Sequence, residues 1–494
     1  MDFIPTDAGD TGNAGDGGGK PLPAAIRPRW HPKAMIYTVL VMAPVAAFLW
    51  IVLSGASMPA AVGIAAAPGA AAAAAPAYLN LSLLLAQITV IIAVARVLGI
   101  LLKRLGQPQV VGEMIAGLAL GPSLLGWVWP DASAWLFPAG TVRYIGVLSQ
   151  LGIVLFMFLV GLELDLSSLR ARGRHILIIS HGGMALPMLG GGLLALLLYH
   201  DYSTAKTSFM GFSLFLGCAM SVTAFPVLAR IIAERGLGAT SLGATAMACA
   251  AVADVSAWAL LAVSVSLERG TGGVCAILLR MGLGAAAFLG VMFFGVRHLL
   301  AWYWRKAGTD AKGFNTNGFS LILLVVLLAA LATELLNAHA IFGAFVAGVA
   351  MPRDAKLGAA IKARMEDLLV VLLLPLFFAF TGLRTNVGLL STSRDWWLAG
   401  LILAVAVAGK LGGSALGARA SGICWREAGA LGVLMNARGL MELVLLTIGL
   451  QDGVITPALF AMMVIMAVVT TMITSPVLAR LVPMPALRGH APPE

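Results

Sequence analysis

The sequence predicts an all-α membrane protein that crosses the bilayer many times. Hydrophobic residues make up 60% of the 494 residues and charged residues only 11%, whereas roughly a quarter of the residues in soluble domains are charged. Mean hydropathy is +0.95, and apolar stretches of about 20 residues, the length that spans the hydrocarbon core, recur along the chain. These stretches lack the period-two alternation of a membrane β-barrel, so spanning helices are expected.

The net charge of +10 does not indicate a nucleic-acid partner. No basic stretch is interleaved with aromatic residues in the manner of nucleic-acid-binding proteins, and the lysines and arginines fall in short loops, as membrane topology requires. The four cysteines form no CxxC pair and predict neither a metal site nor a disulfide framework: Cys218, Cys249, Cys275 and Cys424. Without a Walker motif or a dinucleotide fingerprint, we expect no cofactor and no enzymatic activity.

Fourteen apolar segments are predicted. A Gly- and Asp-rich tail, 1–33, is expected to be disordered; the first segment, 34–56, follows it and leads into an Ala/Pro-rich external loop, 57–77. The other thirteen segments lie at 78–102, 107–128, 142–163, 174–199, 207–233, 240–266, 270–302, 317–337, 339–352, 366–390, 396–419, 427–449 and 454–479, before a cytoplasmic tail at 483–494.

The positive-inside rule supports fourteen spans with both termini in the cytoplasm, in the inner (plasma) membrane of the cell. In this topology the inside loops carry clusters such as Lys103/Arg104 and Arg419/Arg426, while the outside loops hold only scattered cations such as Arg143. An alternative makes 34–56 a cleavable signal sequence, which leaves thirteen spans and an external N-terminus.

An internal repeat indicates two halves of similar layout. The sequence GEMIAGLA at 112–119 matches GAFVAGVA at 343–350, and Gly161-Leu162 matches Gly382-Leu383, at offsets of 231 and 221 residues. An odd number of spans separates the matching segments, so the halves run in opposite directions. Inverted repeats are typical of secondary transporters, whose sites form at the midplane, although Gly/Ala patterns also recur by chance in close-packed bundles.

Asp254 is the strongest functional candidate because it lies in the middle of the 240–266 segment. A charge there costs roughly 2.5–3.5 kcal/mol on insertion scales. A carboxylate at this depth holds either a proton or a monovalent cation, and that competition is all that exchange requires. The alternative is a structural carboxylate bonded to neighbouring hydroxyls.

Lys410 lies near the centre of the 396–419 segment and needs a carboxylate, a carbonyl or a helix end as partner. It either balances Asp254, stabilises a helix break or carries a transported proton.

Two segments carry signals of a broken helix. Ser221, Thr223 and Pro226 lie within 207–233, where the proline frees a carbonyl and the hydroxyls can bind the backbone or a cation. Asn436 and Gly439 interrupt 427–449 in the corresponding position of the other half. Paired broken helices predict a transport site.

The remaining acidic residues in or near spans are assigned to structure or to the entrance of the site. Arg438 and Glu442 are one helical turn apart and are expected to form an ion pair. Glu113, Glu334 and the Glu163/Asp165 pair are the others.

Five motifs in order resemble the monovalent cation:proton antiporter-2 family, which includes the Kef-type and CHX-type exchangers. They are QPQVVGEMIAGLALGP at 107–122, FMFLVGLELD at 156–165, TAFPVLAR at 223–230, ADVSAW at 253–258 and MNARGLMELV at 435–444. The resemblance covers roughly 78–482.

This resemblance implies an inverted-repeat antiporter fold, a thirteen-helix unit here preceded by one extra N-terminal helix, that forms a homodimer in the bilayer. A core, 174–266 and 396–479, would move against a dimerisation part, 78–163 and 317–390, with 270–302 as the linker helix. Asp254 would be the ion-binding carboxylate and Lys410 the lysine opposite it.

The chain departs from the family pattern in two ways. Ala253 stands where relatives carry Asp, Asn or Gln before the essential aspartate, so electroneutral one-for-one exchange is expected. The chain also ends shortly after the last segment, so regulation by a nucleotide would need a separate subunit.

The function predicted from the sequence is exchange of K⁺ or Na⁺ for protons by alternating access, with K⁺ preferred on the Kef-like resemblance. The alternatives are a channel, a transport-inactive scaffold or sensor, and an exporter of an organic cation or antibiotic, because a fold alone does not fix its substrate.

Overall fold

The structure is a computed structural model that describes residues 38–55, 80–163, 166–205, 207–238, 240–269, 274–307, 315–336 and 340–482. The predicted tails 1–33 and 483–494 and the whole of the predicted loop 57–77 lie outside these residues. The described part is helical, with one isolated bridge between Ser203 and Ile455.

Helices connected by short loops build the molecule, as expected for a chain that must satisfy its backbone groups inside hydrocarbon. In chain order they are α1 Ala43–Ser54, α2 Leu81–Arg104, α3 Gln109–Leu120, α4 Leu125–Val128, α5 Pro130–Leu136, α6 Ala139–Glu163, α7 Leu166–Tyr202, α8 Phe209–Ser221, α9 Phe225–Glu234 and α10 Ser241–Arg269. The second half comprises α11 Val274–Gly290, α12 Arg297–Ala307, α13 Thr316–Leu335, α14 Ala340–Ala350, α15 Ala355–Leu368, α16 Leu374–Leu383, α17 Ser393–Ala420, α18 Trp425–Met435, α19 Leu440–Gln451 and α20 Pro457–Leu481.

π-helical turns precede α1 at Thr38–Met42, join α11 to α12 at Val291–Val296, and join α15 to α16 at Leu369–Leu373.

Every predicted apolar segment contains helix, but one boundary was wrong. The 107–128 segment matches the helical stretch Gln109–Val128, within which the chain becomes extended at Gly121 before α4 begins. The segment predicted to begin at 366 begins at Ala355, where the Asp354 side chain accepts the amides of Lys356 and Leu357 as an N-cap. The charged residues of this first stretch resemble a loop, which hid the helix.

Nine helices of the described residues are long and apolar enough to cross a membrane. They lie at Leu81–Arg104, Gln109–Val128, Gly140–Glu163, Gly173–Tyr202, Gly282–Lys306, Thr316–Leu335, Lys356–Leu389, Ser393–Ala420 and Pro457–Leu481. The shorter apolar helices include one half of each predicted broken helix, at Phe209–Ser221 and Met441–Gln451. The chain is therefore a multi-pass membrane protein, and the count of fourteen crossings stays a prediction.

The glycines of the internal repeat make equivalent contacts in the two halves. Gly117 of α3 packs against Gly382 of α16, so closely that neither position has room for a Cβ atom. Their repeat partners, Gly348 of α14 and Gly161 of α6, pack against each other in the same way. Small residues allow helix backbones to approach closely in membranes, and here the approach obeys the pseudo-symmetry that the sequence repeat predicts.

The helices pack in two groups. The first group, called the scaffold group here, contains α2, α3, α6, α13, α14 and α16. The second, called the core group, contains α7, α8, α10, α17, α18 and α20, in which α7 lies along α17 and α8. The predicted division into a dimerisation part and a core part, their relative movement and the dimer itself stay predictions.

The first described helix, α1, packs against the core group through an aromatic ring that fills the space beside two glycines. The Phe48 side chain is fully buried, and a Cβ at either Gly192 of α7 or Gly217 of α8 would come within 2.7 Å of its ring. Met188 and Val52 complete this small apolar cluster. The extra N-terminal helix is therefore packed as part of the core group.

We expect Phe48→Ala to destabilise the protein by about 3 kcal/mol, because glycines surround the ring and cannot fill the cavity that its loss creates. Thermal unfolding in detergent measures the effect. Phe294→Ala is the matched control, since the Phe294 side chain is 80% exposed and its loss should change the midpoint little. Equal midpoints for the two variants would contradict the assigned packing.

Candidate functional site

Two broken helices cross inside the core group and form the centre of the candidate site. α8 ends at Ser221 and α9 resumes at Phe225, while α18 ends at Met435 and α19 resumes at Leu440. The two interruptions are joined by a backbone hydrogen bond, in which the Ala224 amide donates to the Ala437 carbonyl at 3.1 Å. The four helix ends therefore meet around one pair of extended segments.

The first interruption lies at 222–224, before the proline that was expected to cause it. Val222 is extended, and Pro226 is the second residue of α9. A proline in a first helical turn sacrifices no intrahelical hydrogen bond. Pro226 therefore accompanies the start of α9 and does not interrupt a continuous helix; its side chain lies outside the part of the structure described.

The second interruption depends on a glycine. Gly439 has φ +152° and ψ −124°, a conformation that residues with a side chain rarely adopt. A Cβ there would also lie 2.7 Å from Val227 Cγ2 of α9. Thr471 of α20 holds the same segment from the other side, because its hydroxyl accepts the Arg438 amide at 3.0 Å and can donate to the Arg438 carbonyl at 2.7 Å.

Two buried cations cap the exposed carbonyls at the end of α8. The Arg438 guanidinium donates to the Ala219 carbonyl at 3.1 Å and to the Met220 carbonyl at 2.7 Å. The Lys410 ammonium donates to the Ser221 carbonyl. The last carbonyls of a helix carry partial negative charge and lack partners within the helix, so the two cations replace the hydrogen bonds that the interruption removes.

Arg438 also forms the ion pair expected from its spacing to Glu442. The distance from Arg438 Nη1 to Glu442 Oε1 is 2.9 Å, and both side chains are fully buried. Its guanidinium therefore joins α19 to α8 across the crossing. One carboxylate oxygen of Glu442, Oε2, is buried without a hydrogen-bond partner.

Asp254 of α10 lies beside this crossing. Its side chain is 4% exposed, and neither carboxylate oxygen has a hydrogen-bond partner of normal geometry. The backbone amide of Phe225, at the start of α9, interacts with the carboxylate, as does the more distant charge of Lys410. Asp254 and Lys410, both among the described residues, do not form an ion pair, because the lysine is bonded to the Ser221 carbonyl.

The hydroxyls predicted as ligands differ in availability. Thr223 Oγ1 is buried without a hydrogen-bond partner, so it is free to contact an ion. The Ser221 hydroxyl instead faces the carbonyls of Gly217 and Met184, at 2.7 and 2.9 Å, where it supports the end of α8.

Three features of the site were not predicted. Asn436 was assigned only to the helix break. Its Oδ1 atom is also buried without a hydrogen-bond partner, as are Thr223 Oγ1 and the Asp254 carboxylate oxygens. Thr471 was missed, although a run of hydroxyls in the last apolar segment was a visible signal. The backbone contact between Ala224 and Ala437 has no signal in the sequence.

The other acidic residues have local partners. Glu334 Oε2 accepts the Ala340 amide at 2.8 Å, and Glu163 pairs with Lys362 at 2.6 Å. Asp165 lies outside the described residues. Glu113 of α3 is buried and lies 3.5 Å from Arg230 of α9.

This architecture is that of known antiporters. The sodium proton antiporter MjNhaP1 from Methanocaldococcus jannaschii has a similar fold, with a TM-score of 0.59 over 81% of this chain and 100% of the other at 15% identity. The family described as the transmembrane sodium/hydrogen exchanger matches residues 88–482. The chain belongs to this family, which confirms the resemblance seen in the motifs and makes the protein a transporter and not an enzyme.

Relatives with higher identity carry related names. The Na⁺/H⁺ antiporter NhaS4 of Synechocystis sp. is 42% identical over 82% of this chain and 99% of its own length. Cation/H⁺ antiporter 20 of Arabidopsis thaliana is 39% identical over 80% of this chain, and K⁺/H⁺ antiporter 1 of Saccharomyces cerevisiae is 34% identical over 80%. The match covers 48% of the plant protein and 46% of the yeast protein.

The buried ion pair yields a test of the crossing. We expect Arg438→Met to destabilise the protein by about 3–5 kcal/mol, because it leaves the Glu442 charge buried and uncompensated. The double variant Arg438→Met/Glu442→Met should be more stable than Arg438→Met alone, since no unpaired charge remains. Unfolding midpoints in detergent measure both.

Arg394→Met is the matched control, because the Arg394–Asp201 pair is 63% and 43% exposed and such pairs contribute little. Strictly additive effects of Arg438→Met and Glu442→Met on the unfolding midpoint would show that the Arg438–Glu442 pair is not coupled.

Proposed function

We propose that this protein is a secondary-active antiporter that exchanges a monovalent cation, K⁺ or Na⁺, for protons, with both ions competing for Asp254. The observation that carries the proposal is the Asp254 carboxylate, buried at a crossing of two broken helices with neither oxygen in an ion pair or a side-chain hydrogen bond. The names of the relatives, which include Na⁺/H⁺ and K⁺/H⁺ antiporters, support the same class of substrate.

The chemistry of the site suits a dehydrated alkali ion. Such an ion needs oxygen ligands, and the crossing offers the Asp254 carboxylate, Thr223 Oγ1 and Asn436 Oδ1, all buried and without partners. The start of α9 at Phe225 faces the carboxylate and stabilises its negative charge when no ion is bound. A proton on Asp254 removes that charge and with it the main attraction for the cation.

Electroneutral exchange follows from the charges at the crossing. Ala253 is fully buried and supplies no second carboxylate. A bound cation and a bound proton each add one positive charge to the same site, so both loaded forms carry equal charge. Lys410 stays bonded to the Ser221 carbonyl and, in this mechanism, holds the end of α8 instead of carrying a proton.

Alternating access requires that the site open to one side at a time. The core group would carry Asp254 across the membrane against the scaffold group of a homodimer, with 270–302 linking the two. Fourteen crossings in the inner membrane and both termini in the cytoplasm complete the proposal. Potassium is the favoured cation.

Removing the carboxylate tests the site. In proteoliposomes with a pH gradient, addition of Li⁺, Na⁺ or K⁺ should collapse the gradient for the wild type, and Asp254→Asn should reduce this flux to background, because the amide cannot exchange a proton for a cation. Raising the proton concentration on the cation side should raise the apparent KM for the cation.

Asp201→Asn is the matched control, since Asp201 forms an exposed ion pair with Arg394 away from the crossing and should leave the flux unchanged. A wild type that is silent with every cation would favour an organic substrate or a transport-inactive role. Flux that persists without a counter-gradient would indicate a channel.

The charge argument gives a second test. Wild-type Na⁺/H⁺ exchange should proceed at the same rate with the membrane potential clamped at zero or at about 100 mV, where each net charge moved would gain or lose about 2.3 kcal/mol. Ala253→Asp adds a second carboxylate beside Asp254 and should make the rate depend on the potential, whereas Ala253→Asn should not. A potential-dependent wild type would overturn electroneutrality.

A further inference from the structure

Glu113 lies where the scaffold group meets the candidate site. It is on α3, and its side chain is 2% exposed. The next residue, Met114, packs against the second helix break, because its Sδ atom is 3.8 Å from the position of a Cβ at Gly439. This face of α3 therefore borders the crossing directly.

The partner of Glu113 is on the broken helix itself. Both terminal nitrogens of Arg230 of α9 lie 3.5 Å from Glu113 Oε1. Arg230 is five residues beyond Phe225, whose amide interacts with Asp254. At 1.5 Å per residue this places the arginine roughly 7.5 Å along α9 from the level of that amide, toward the end that the predicted topology assigns to the cytoplasm.

Polar contacts continue from this pair to the surface. Arg230 Nε lies 3.8 Å from Glu234 Oε1, and the exposed fraction of the side chains rises from 2% at Glu113 to 22% at Arg230 and 29% at Glu234. Glu234 accepts the Gln109 amide at 3.5 Å, and Arg235 donates to the Gly106 carbonyl at 2.9 Å. The end of α9 is thus attached to α3 and to the turn that precedes it.

Glu113–Arg230 differs from the other ion pairs. Among the ion pairs formed between described residues, it alone joins the scaffold group to a broken helix of the candidate site. Lys362–Glu163 at 2.6 Å joins α15 to α6 of the scaffold group, and Arg394–Asp201 at 2.5 Å joins α17 to α7 within the core group. Arg438–Glu442 at 2.9 Å joins the second helix break to the next turn of the same chain segment. The Glu113–Arg230 contact is longer, and Glu113 Oε2 is buried without a partner.

We propose that Glu113 and Arg230 form a latch that closes the cytoplasmic approach to Asp254 and must open before an ion can exchange on that side. The inference rests on the antiport function proposed above. A buried glutamate that loses its arginine keeps an uncompensated charge unless water reaches it. Separation of the pair and entry of water are therefore one event, and α9 runs from Arg230 to Phe225, whose amide interacts with Asp254.

The latch is tested by the accessibility of a cysteine placed behind it. In a chain whose native cysteines, Cys218, Cys249, Cys275 and Cys424, are replaced by serine, Val227→Cys supplies a reporter on α9. The Val227 side chain is 2% exposed and lies between Arg230 and the crossing. A membrane-impermeant maleimide added to the cytoplasmic face of vesicles should label it slowly in the parent protein.

Glu113→Gln preserves the shape of the side chain and removes its charge. We expect labelling from the cytoplasmic face to accelerate about tenfold, the change associated with loss of one weak charged contact, and labelling from the opposite face not to accelerate. Glu163→Gln is the matched control, because its lost ion pair with Lys362 lies within the scaffold side and should leave the rate unchanged. Equal rates in Glu113→Gln and the parent would overturn the latch.

Exchanging the two charges of the pair separates a loss of the latch from misfolding. Glu113→Arg and Arg230→Glu should each accelerate labelling, and the double variant should restore slow labelling because the attraction is re-formed with opposite polarity. A double variant labelled as fast as either single variant would overturn the latch. Labelling requires no ion flux, so a protein inactive with every cation would refute antiport while the latch could still be measured. Conversely, active exchange with unchanged labelling in Glu113→Gln would refute the latch alone.

Discussion

An interrupted helix in a membrane must find new partners for the backbone groups that the interruption exposes, because hydrocarbon offers none. Here the carbonyls at the end of α8 receive hydrogen bonds from Arg438 and Lys410. The two interruptions also bond to each other through Ala224 and Ala437. The position of every group at the candidate site depends on these contacts, since they hold four helix ends at one point.

This use of the two cations explains why Asp254 has no strong partner. A buried carboxylate is normally neutralised by a neighbouring cation, but Lys410 is committed to a carbonyl and Arg438 to two carbonyls and Glu442. The Asp254 carboxylate is therefore left without an ion pair or a side-chain hydrogen bond. Binding of a proton or a cation stabilises such an unpaired carboxylate more than it would stabilise a carboxylate already in a salt bridge. An exchange site requires this property.

Much of the fold followed from the sequence, because long apolar segments and repeated glycines are local signals. Hydropathy found the long apolar helices but not the short helix α5 at Pro130–Leu136, and the glycines matched in the repeat, Gly117 and Gly348, make equivalent contacts in the structure. The start of α15 at Ala355 was missed because its first turns are charged. The first break was attributed to Pro226, since a proline is visible in a sequence and an extended Val222 is not.

The candidate site was predicted less completely, because it depends on contacts between residues about 190 to 220 positions apart. The spacing of Arg438 and Glu442 predicted their ion pair, but nothing in either segment indicated that Arg438 would reach the carbonyls of Ala219 and Met220. The same limit applies to Glu113, which was assigned to structure or to the entrance of the site without any indication of its partner Arg230.

Its position gives two successive turns of α3 different roles. Gly117 packs against α16 inside the scaffold group, while Glu113 and Met114, about one turn nearer the start of the helix, meet the broken helices. Substitutions at Gly117 should therefore act on folding, and substitutions at Glu113 on access to Asp254.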